Sequence, residues 1–144
     1  NAFNEHGWKL VIDHAYTAKM GKLYNVSCTG VTSYQERTIY VSEAGAVLHE
    51  FGHFIEGELL SFPARSQELF NAEAKDAPFR SYAKTSSSEY FADYFAYLLT
   101  HSDGSKSMQL LKKSTPKTYE YFHSLTINGE PLLGGSHAEE VKNY

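Results

Sequence analysis

The H-E-x-x-H segment at His49–His53 constrains the fold of this chain more than any other feature of its sequence. Two histidines four positions apart project from one face of a helix, about one turn apart, so both imidazoles can reach one metal ion. The pattern is typical of zinc peptidases, in which the glutamate after the first histidine is a general base. We therefore expect a helix here, with His49 and His53 as zinc ligands and Glu50 beside a water that the zinc activates.

The apolar residues around this segment predict that its helix packs into a core. At helical spacing they lie on the side away from the two histidines, which is the pattern of a buried helix with one polar face. The alternative is a solvent-exposed helix whose histidines and glutamate bind no metal. The apolar positions are Val47, Leu48, Phe51, Phe54 and Ile55.

The composition fits one domain that buries a core without disulfide bonds. Of the 144 residues, 42% are hydrophobic and 15% are aromatic, and Cys28 is the single cysteine, which excludes an internal disulfide and a cysteine-based zinc site. The net charge of −4 and the scattered lysines exclude nucleic acid as an expected partner. No apolar run approaches the roughly 20 residues of a membrane span, so we expect no membrane partner. We expect a monomer with a single domain over residues 1–144, whose tail after about residue 128 is loosely held.

Strand patterns dominate the first part of the chain. Trp8–Ile12 and Thr38–Val41 carry the β-branched and aromatic residues that strands favour. The region around Gly30 and the segment 33–36 lie between these two runs and have the composition of turns. This arrangement predicts a short, mostly antiparallel sheet.

Helical patterns follow, beginning with the motif helix. We expect that helix to run from Ser42 or Glu43 to Glu56, with Gly57 as its end. Strands followed by helices predict an α+β domain of the zincin type, with the sheet packed on the motif helix. Three more helices are expected: one from Ser66 that ends before Pro78, one from Glu89 to about Thr100 capped by Ser87 or Ser88, and one that begins at Thr115-Pro116.

A catalytic zinc ion usually has three protein ligands, so the motif needs a third. In metzincins a glycine and a third histidine follow the motif, but this chain has Glu56 and Leu59 at those positions, which excludes that class. The remaining histidines follow no ligand spacing, and we expect structural or surface roles for them. They are His6, His14, His101, His123 and His137.

Glu89 is the better candidate for the third ligand. Glu89 and Asp93 lie four positions apart on a helix whose other positions are largely aromatic, and a buried carboxylate needs a cation or hydrogen-bond donors. Zinc would satisfy Glu89, and Asp93 one turn later could accept the ring N–H of a ligand histidine. Two alternatives stay open: both acids face water, or Asp93 is the ligand instead of Glu89.

Four segments of the chain carry a family resemblance: His49–His53, Arg80–Tyr82, Glu89–Phe95 and Thr115–Tyr119. Together they resemble the catalytic domain of anthrax lethal factor and its relatives, which include the bacterial Pro-Pro endopeptidases. The similar part runs from about residue 30 to about residue 125, and its motifs are specific in combination.

The resemblance implies a gluzincin-like fold that binds one zinc ion per chain. It implies that His49, His53 and Glu89 are the zinc ligands. Glu50 is then the catalytic base, and Tyr82 stands over the zinc and stabilises the negative charge that develops on the scissile carbonyl oxygen.

The resemblance also implies where the substrate binds and offers two roles for Glu56. The strand at Thr38–Val41 would be the sheet edge on which an extended peptide pairs. Glu56 matches an acid of the family's helix, with a role either beside the zinc ligands or on the surface.

From the motif and the resemblance we expect a zinc endopeptidase that cuts extended peptide or protein segments, and the resemblance implies that it is a secreted bacterial protein. Proline next to the scissile bond is the first hypothesis, because its fixed φ lowers the entropy lost when a peptide is held straight, and a hydrophobic or aromatic-flanked bond is the second. The alternatives are a catalytically silent zinc-binding or protein-binding module and a zinc aminopeptidase.

Overall fold

A small sheet and the helices that follow it make up the part of the chain that the structure describes. The structure is a computed structural model, and it describes residues 2–13, 16–17, 19, 30–42, 46–127 and 129–133. In chain order its elements are α1 (Ala2–Glu5), β1 (Lys9–Ile12), β2 (Gly30–Ser33), β3 (Thr38–Val41), α2 (Val47–Phe54), α3 (Ala64–Glu73), α4 (Ser87–Thr100), α5 (Lys106–Ser114), α6 (Pro116–Ser124), β4 (Thr126–Ile127) and β5 (Glu130–Pro131).

The sheet is mixed, with strand order β1-β3-β2. β3 pairs with β1 in parallel and with β2 in antiparallel orientation. The predicted antiparallel pairing is therefore wrong for β1 and β3, and the region around Gly30, predicted as a turn, is strand β2. The chain between Ile12 and Thr38 is longer than the dozen or so residues that a parallel crossover needs, so the parallel arrangement is sterically available.

The central position of β3 corrects a second expectation. β3 is hydrogen-bonded on both sides, so Thr38–Val41 cannot be the free edge on which a peptide pairs. Of the three strands described in this sheet, β1 and β2 are the outer ones, on opposite sides of β3. Helix α2 lies next to β2. The tight turn at residues 34–37 connects β2 to β3, as the turn composition predicts, and Arg37 in it has a φ of 52°.

The motif helix ends later than predicted and changes to π-helical geometry in its last turn. α2 begins at Val47, with residues 43–45 outside the described part, and continues beyond Gly57 as a π-helical turn over Ile55–Leu59. The hydroxyl of Tyr34 donates a hydrogen bond of 2.7 Å to the carbonyl oxygen of His53. In an α-helix that oxygen would accept the N–H of Gly57, so the insertion of a side chain accompanies the change to π-helical winding.

The other helices agree with the predicted pattern except at their ends. α3 begins at Ala64 rather than Ser66, and Ser86, not Ser87 or Ser88, caps α4 by accepting the N–H of Glu89. Pro116 takes the first position of α6, as predicted. Helix α5 was not predicted, because its apolar pattern is short. The predicted loose tail lies mostly outside the described residues.

Helices α2 and α4 form the centre of the core. A Cβ atom at Gly52 of α2 would lie 2.6 Å from the Cα atom of Ala92 of α4, so the glycine permits a close approach of the two backbones. Tyr94, two residues after Ala92 on α4, is completely buried. None of the described helices is long and apolar enough to cross a bilayer.

The apolar face predicted for the motif helix lies in this core, with one exception. Leu48 is partly exposed and does not belong to the core cluster. The residues that pack in or against the cluster are Val47, Phe51, Phe54 and Ile55.

Candidate metal centre

Helix α2 brings the side chains of the H-E-x-x-H motif together, as its spacing predicts. His49, Glu50 and His53 each offer a ligand atom, and these atoms lie within 4.8 Å of one another. The two imidazole rings are nearly perpendicular, with centroids 4.8 Å apart. Because Glu50 is only 4% exposed, the alternative of a motif on a solvated helix face is wrong.

Glu89 at the start of α4 contacts both histidines. Its Oε2 atom lies 2.9 Å from Nε2 of His49, and its Oε1 atom lies 3.2 Å from Nε2 of His53. Burial alone would raise the pKa of Glu89, but the hydrogen bonds with the two histidines lower it to about 2. One ionised carboxylate therefore faces the same nitrogen atom of both imidazoles.

Asp93, one turn after Glu89, contacts the opposite nitrogen of His49. Its Oδ1 atom is hydrogen-bonded to Nδ1 of His49. Arg80 donates from Nε to Oδ2 of Asp93 at 2.8 Å and from Nη2 to Oδ1 at 2.9 Å. Burial lowers the pKa of His49, but the contacts with Asp93 and Glu89 outweigh it and raise that pKa to about 9. The two acidic side chains are 18% and 13% exposed, so the alternative that both face water is wrong.

Tyr82 lies beside this cluster on a short 3-10 turn, Ser81–Lys84. Its ring centroid is 6.3 Å from that of His49, and the side chain is 45% exposed. The guanidinium carbon of Arg80 lies 5.1 Å from the centre of the Tyr82 ring, a cation–π distance. Arg80 thus contacts both Tyr82 and the carboxylate that holds His49.

Strand β2 contacts Glu50 from the other side. The hydroxyl of Thr32 donates a hydrogen bond to Oε2 of Glu50, and a Cβ atom at Gly30 would lie 2.7 Å from Cγ and from Oε1 of Glu50. Sequence reasoning missed both residues, since it placed Gly30 in a turn and assigned nothing to Thr32. The alternation of Gly30 and Thr32 on one strand face is the signal that would have found them.

Glu56 is buried rather than on the surface. It is 1% exposed, and its Oε1 atom has no hydrogen-bond partner among the described residues. Burial raises the pKa of this carboxyl group. The interpretation of Glu56 as a surface acid is therefore wrong.

The donors present fit a zinc ion. Two imidazoles and one carboxylate are a common protein ligand set of catalytic zinc sites, and zinc in such sites keeps a further position for water. Asp93 engages Nδ1 of His49, which leaves Nε2 of His49 directed toward Glu89 and is the usual way in which an outer carboxylate orients a ligand histidine. His49, His53 and Glu89 are thus the residues that could hold the metal.

The family model for anthrax toxin lethal factor, N- and C-terminal domain, matches residues 4–125. The chain belongs to this family. The match includes the three-stranded sheet, the candidate metal centre and the turn that carries Tyr82, and it confirms the resemblance to lethal factor at the level of the family. No curated protein sequence matches the chain.

Proposed function

We propose that this member of the lethal factor family is a zinc endopeptidase that hydrolyses peptide bonds in extended segments of protein substrates. The observation that carries the proposal is the carboxylate of Glu89 in contact with both histidines of the H-E-x-x-H motif. Glu50, buried next to them, supplies the acid–base group that peptide hydrolysis needs. We also propose that the domain has the zincin type of fold.

Each residue of the centre has a distinct task in this reaction. His49, His53 and Glu89 would hold the zinc ion, which would supply Lewis acidity toward the attacking water and the scissile carbonyl group. Glu50 accepts a proton from the water as it attacks. The same carboxyl group then returns the proton to the nitrogen of the leaving amine, which completes hydrolysis.

Tyr82 is proposed to donate a hydrogen bond from its phenol hydroxyl to the oxygen of the scissile carbonyl group. Negative charge develops on that oxygen in the transition state, and a donor already in place stabilises it without reorganisation. The exposure of Tyr82 and its position near His49 support this role. A module that only binds protein would need neither this phenol nor the buried acid.

The outer edge of β2 is the proposed binding site for the substrate backbone. Among the described residues, residues 31–33 of β2 pair on one side only, with β3, and the strand contacts the proposed base Glu50 through Thr32. A peptide that adds to this edge is held straight by main-chain hydrogen bonds close to Glu50. Such a site favours unfolded segments, and proline near the scissile bond is the first hypothesis for selectivity.

The test combines metal analysis with a peptide-library cleavage profile of the wild-type protein and Glu50→Gln. We expect about one zinc ion per chain in both proteins and internal cleavage by the wild type alone, because the substitution removes the base and no ligand. Release of single amino-terminal residues would contradict endopeptidase activity. Cleavage that is indifferent to proline at every nearby position would contradict only the proline hypothesis.

A further inference from the structure

We propose that Thr32 is a positioning residue for the reaction, whose hydroxyl fixes the carboxylate of Glu50 in the space that Gly30 leaves open. The inference rests on the proposed function, since it assigns a task to a residue that supports the proposed base. It concerns strand β2, which no motif of the sequence marks.

The contact joins strand β2 to Glu50, the buried acid between the two histidines. The Thr32 hydroxyl donates to Oε2 of Glu50 and lies 3.4 Å from the backbone oxygen of the same residue. In the sheet, Thr32 is opposite Ile39, and Gly30 is opposite Val41. Both of these partners on β3 are completely buried, so the strand that holds Glu50 is itself anchored in the core.

Gly30 makes the arrangement possible by lacking a side chain. Successive residues of a strand point to opposite faces, so Gly30 and Thr32 face the same way, toward α2. Any Cβ atom at Gly30 would lie 2.9 Å or less from Cγ, Cδ and Oε1 of Glu50. Every residue except glycine would therefore displace the carboxylate.

A glutamate side chain needs such a restraint to act as a base. It has several rotatable bonds, and a proton acceptor must lie within hydrogen-bond reach of the water that it deprotonates. A carboxylate oxygen has more than one lone pair. Glu50 can therefore accept the hydrogen bond from the Thr32 hydroxyl and still have a lone pair for the proton of the water. The threonine hydroxyl thus selects one position of Glu50 and leaves it able to react.

The experiment compares Thr32→Val, which removes the hydroxyl and keeps the shape, with Thr32→Ser, which keeps the hydroxyl. Thr38→Val is the matched control, because Thr38 is a threonine of the same sheet whose hydroxyl bonds to the backbone oxygen of Glu36. For each variant we would measure the zinc content and the kcat and KM on a cleaved peptide. Crystals of the zinc-loaded proteins would give the conformation of Glu50.

We expect Thr32→Val to retain zinc, to lose about tenfold or more in kcat with KM changed less than about twofold, and to show Glu50 in more than one conformation. Thr32→Ser is expected to restore both the kcat and the single Glu50 conformation, and Thr38→Val is expected to match the wild type.

Two results would overturn the inference: a wild-type kcat and an unmoved Glu50 in Thr32→Val, or equal losses in Thr32→Ser and Thr32→Val. Failure of the proposed function is recognised separately, as a zinc-loaded wild-type protein that cleaves no peptide. In that case the Glu50 conformation still decides whether Thr32 fixes the carboxylate.

Discussion

Two acids one helical turn apart touch opposite nitrogens of the same histidine, and this division of contacts separates the proposed metal ligand from the residue that orients it. Glu89 meets Nε2 of His49 and also reaches His53, whereas Asp93 meets Nδ1 of His49 and is paired with Arg80. Removal of Glu89 would delete one of the proposed donors to the metal. Removal of Asp93 would leave the proposed donors in place, but the imidazole ring of His49 would lose the contact that orients it.

Glu89→Ala is therefore expected to lower zinc affinity more than Asp93→Ala, for which the loss is about 10- to 100-fold, as for other outer carboxylates. Competition with a zinc chelator of known affinity measures both values. The ligand assignment is wrong if Asp93→Ala loses the metal and Glu89→Ala keeps it.

Tyr82→Phe tests the proposed donor to the oxyanion. The substitution removes one hydroxyl at a 45% exposed position, so the fold and the zinc content are expected to stay unchanged. We expect kcat to fall by about 10²-fold with little change in KM, as for the loss of a hydrogen bond made only in the transition state. Tyr119→Phe, on helix α6, is the control and is expected to keep the wild-type kcat. Wild-type turnover in Tyr82→Phe would remove the proposed role.

For individual residues, the sequence predicts those contacts that arise within one helix. The four-residue spacing is enough to place His49 next to His53 on α2 and Glu89 one turn before Asp93 on α4. That the two helices bring these pairs together is consistent with the need of buried carboxylates for partners. The contact of Thr32 depends instead on which strand lies beside α2, and no local pattern contains that information.

A glutamate of helix α3 caps the first turn of α6, and through that turn it helps to position α4. Glu73 of α3 is buried and accepts the backbone N–H groups of Lys117 at 3.0 Å and Thr118 at 2.7 Å, at the first turn of α6. Thr118 in turn accepts a hydrogen bond of 3.0 Å from the hydroxyl of Tyr90 on α4. The acid thus connects α3 and α6 to the helix that carries Glu89.

Glu73→Ala is expected to lower the free energy of unfolding by about 1–3 kcal/mol, because it leaves the buried N–H of Thr118 and the partly buried N–H of Lys117 without an acceptor. Urea denaturation followed by circular dichroism measures the change. Glu68→Ala in the same helix is the control, since Glu68 is an exposed partner of Arg65, and such pairs contribute less than about 1 kcal/mol. Equal stability of Glu73→Ala and the wild type would contradict the capping role.

The elements that could be predicted are those whose signals are local. Thr115-Pro116 marks the start of α6 because proline fits the first helical position, and the structure confirms it. Ser86, Ser87 and Ser88 are equivalent as local cap signals, and the extended backbone of Ser86, with a φ of −158°, decides among them. The parallel pairing of β1 with β3 depends on the path of the chain between them and has no local signal.

For the whole molecule, zinc is expected to act as a stabilising ligand as well as a cofactor. The proposed ligands come from α2 and α4, the pair of helices at the centre of the core, so a metal between them resists their separation. A ligand that binds only the folded state contributes about 4 kcal/mol when its free concentration is roughly 1,000 times its Kd.

Chelation of zinc is therefore expected to lower the Tm of the wild-type protein and of Glu50→Gln, which keeps all three ligands. Glu89→Ala is the control, and its Tm is expected to change little when a chelator is added. Differential scanning fluorimetry over a series of free zinc concentrations measures the effect. A wild-type Tm that does not depend on free zinc would count against the metal centre.

The ion pair between Arg80 and Asp93 makes the protein's response to salt uneven. The side chain of Arg80 is 57% exposed, whereas that of Asp93 is 13% exposed. Dissolved ions screen a solvent-exposed charge strongly and a buried contact such as that of Asp93 with His49 much less. We therefore expect rising ionic strength to loosen the turn that carries Tyr82 while His49 stays oriented. Under the proposed function, substrate turnover is expected to become sensitive to salt at concentrations where metal binding is not.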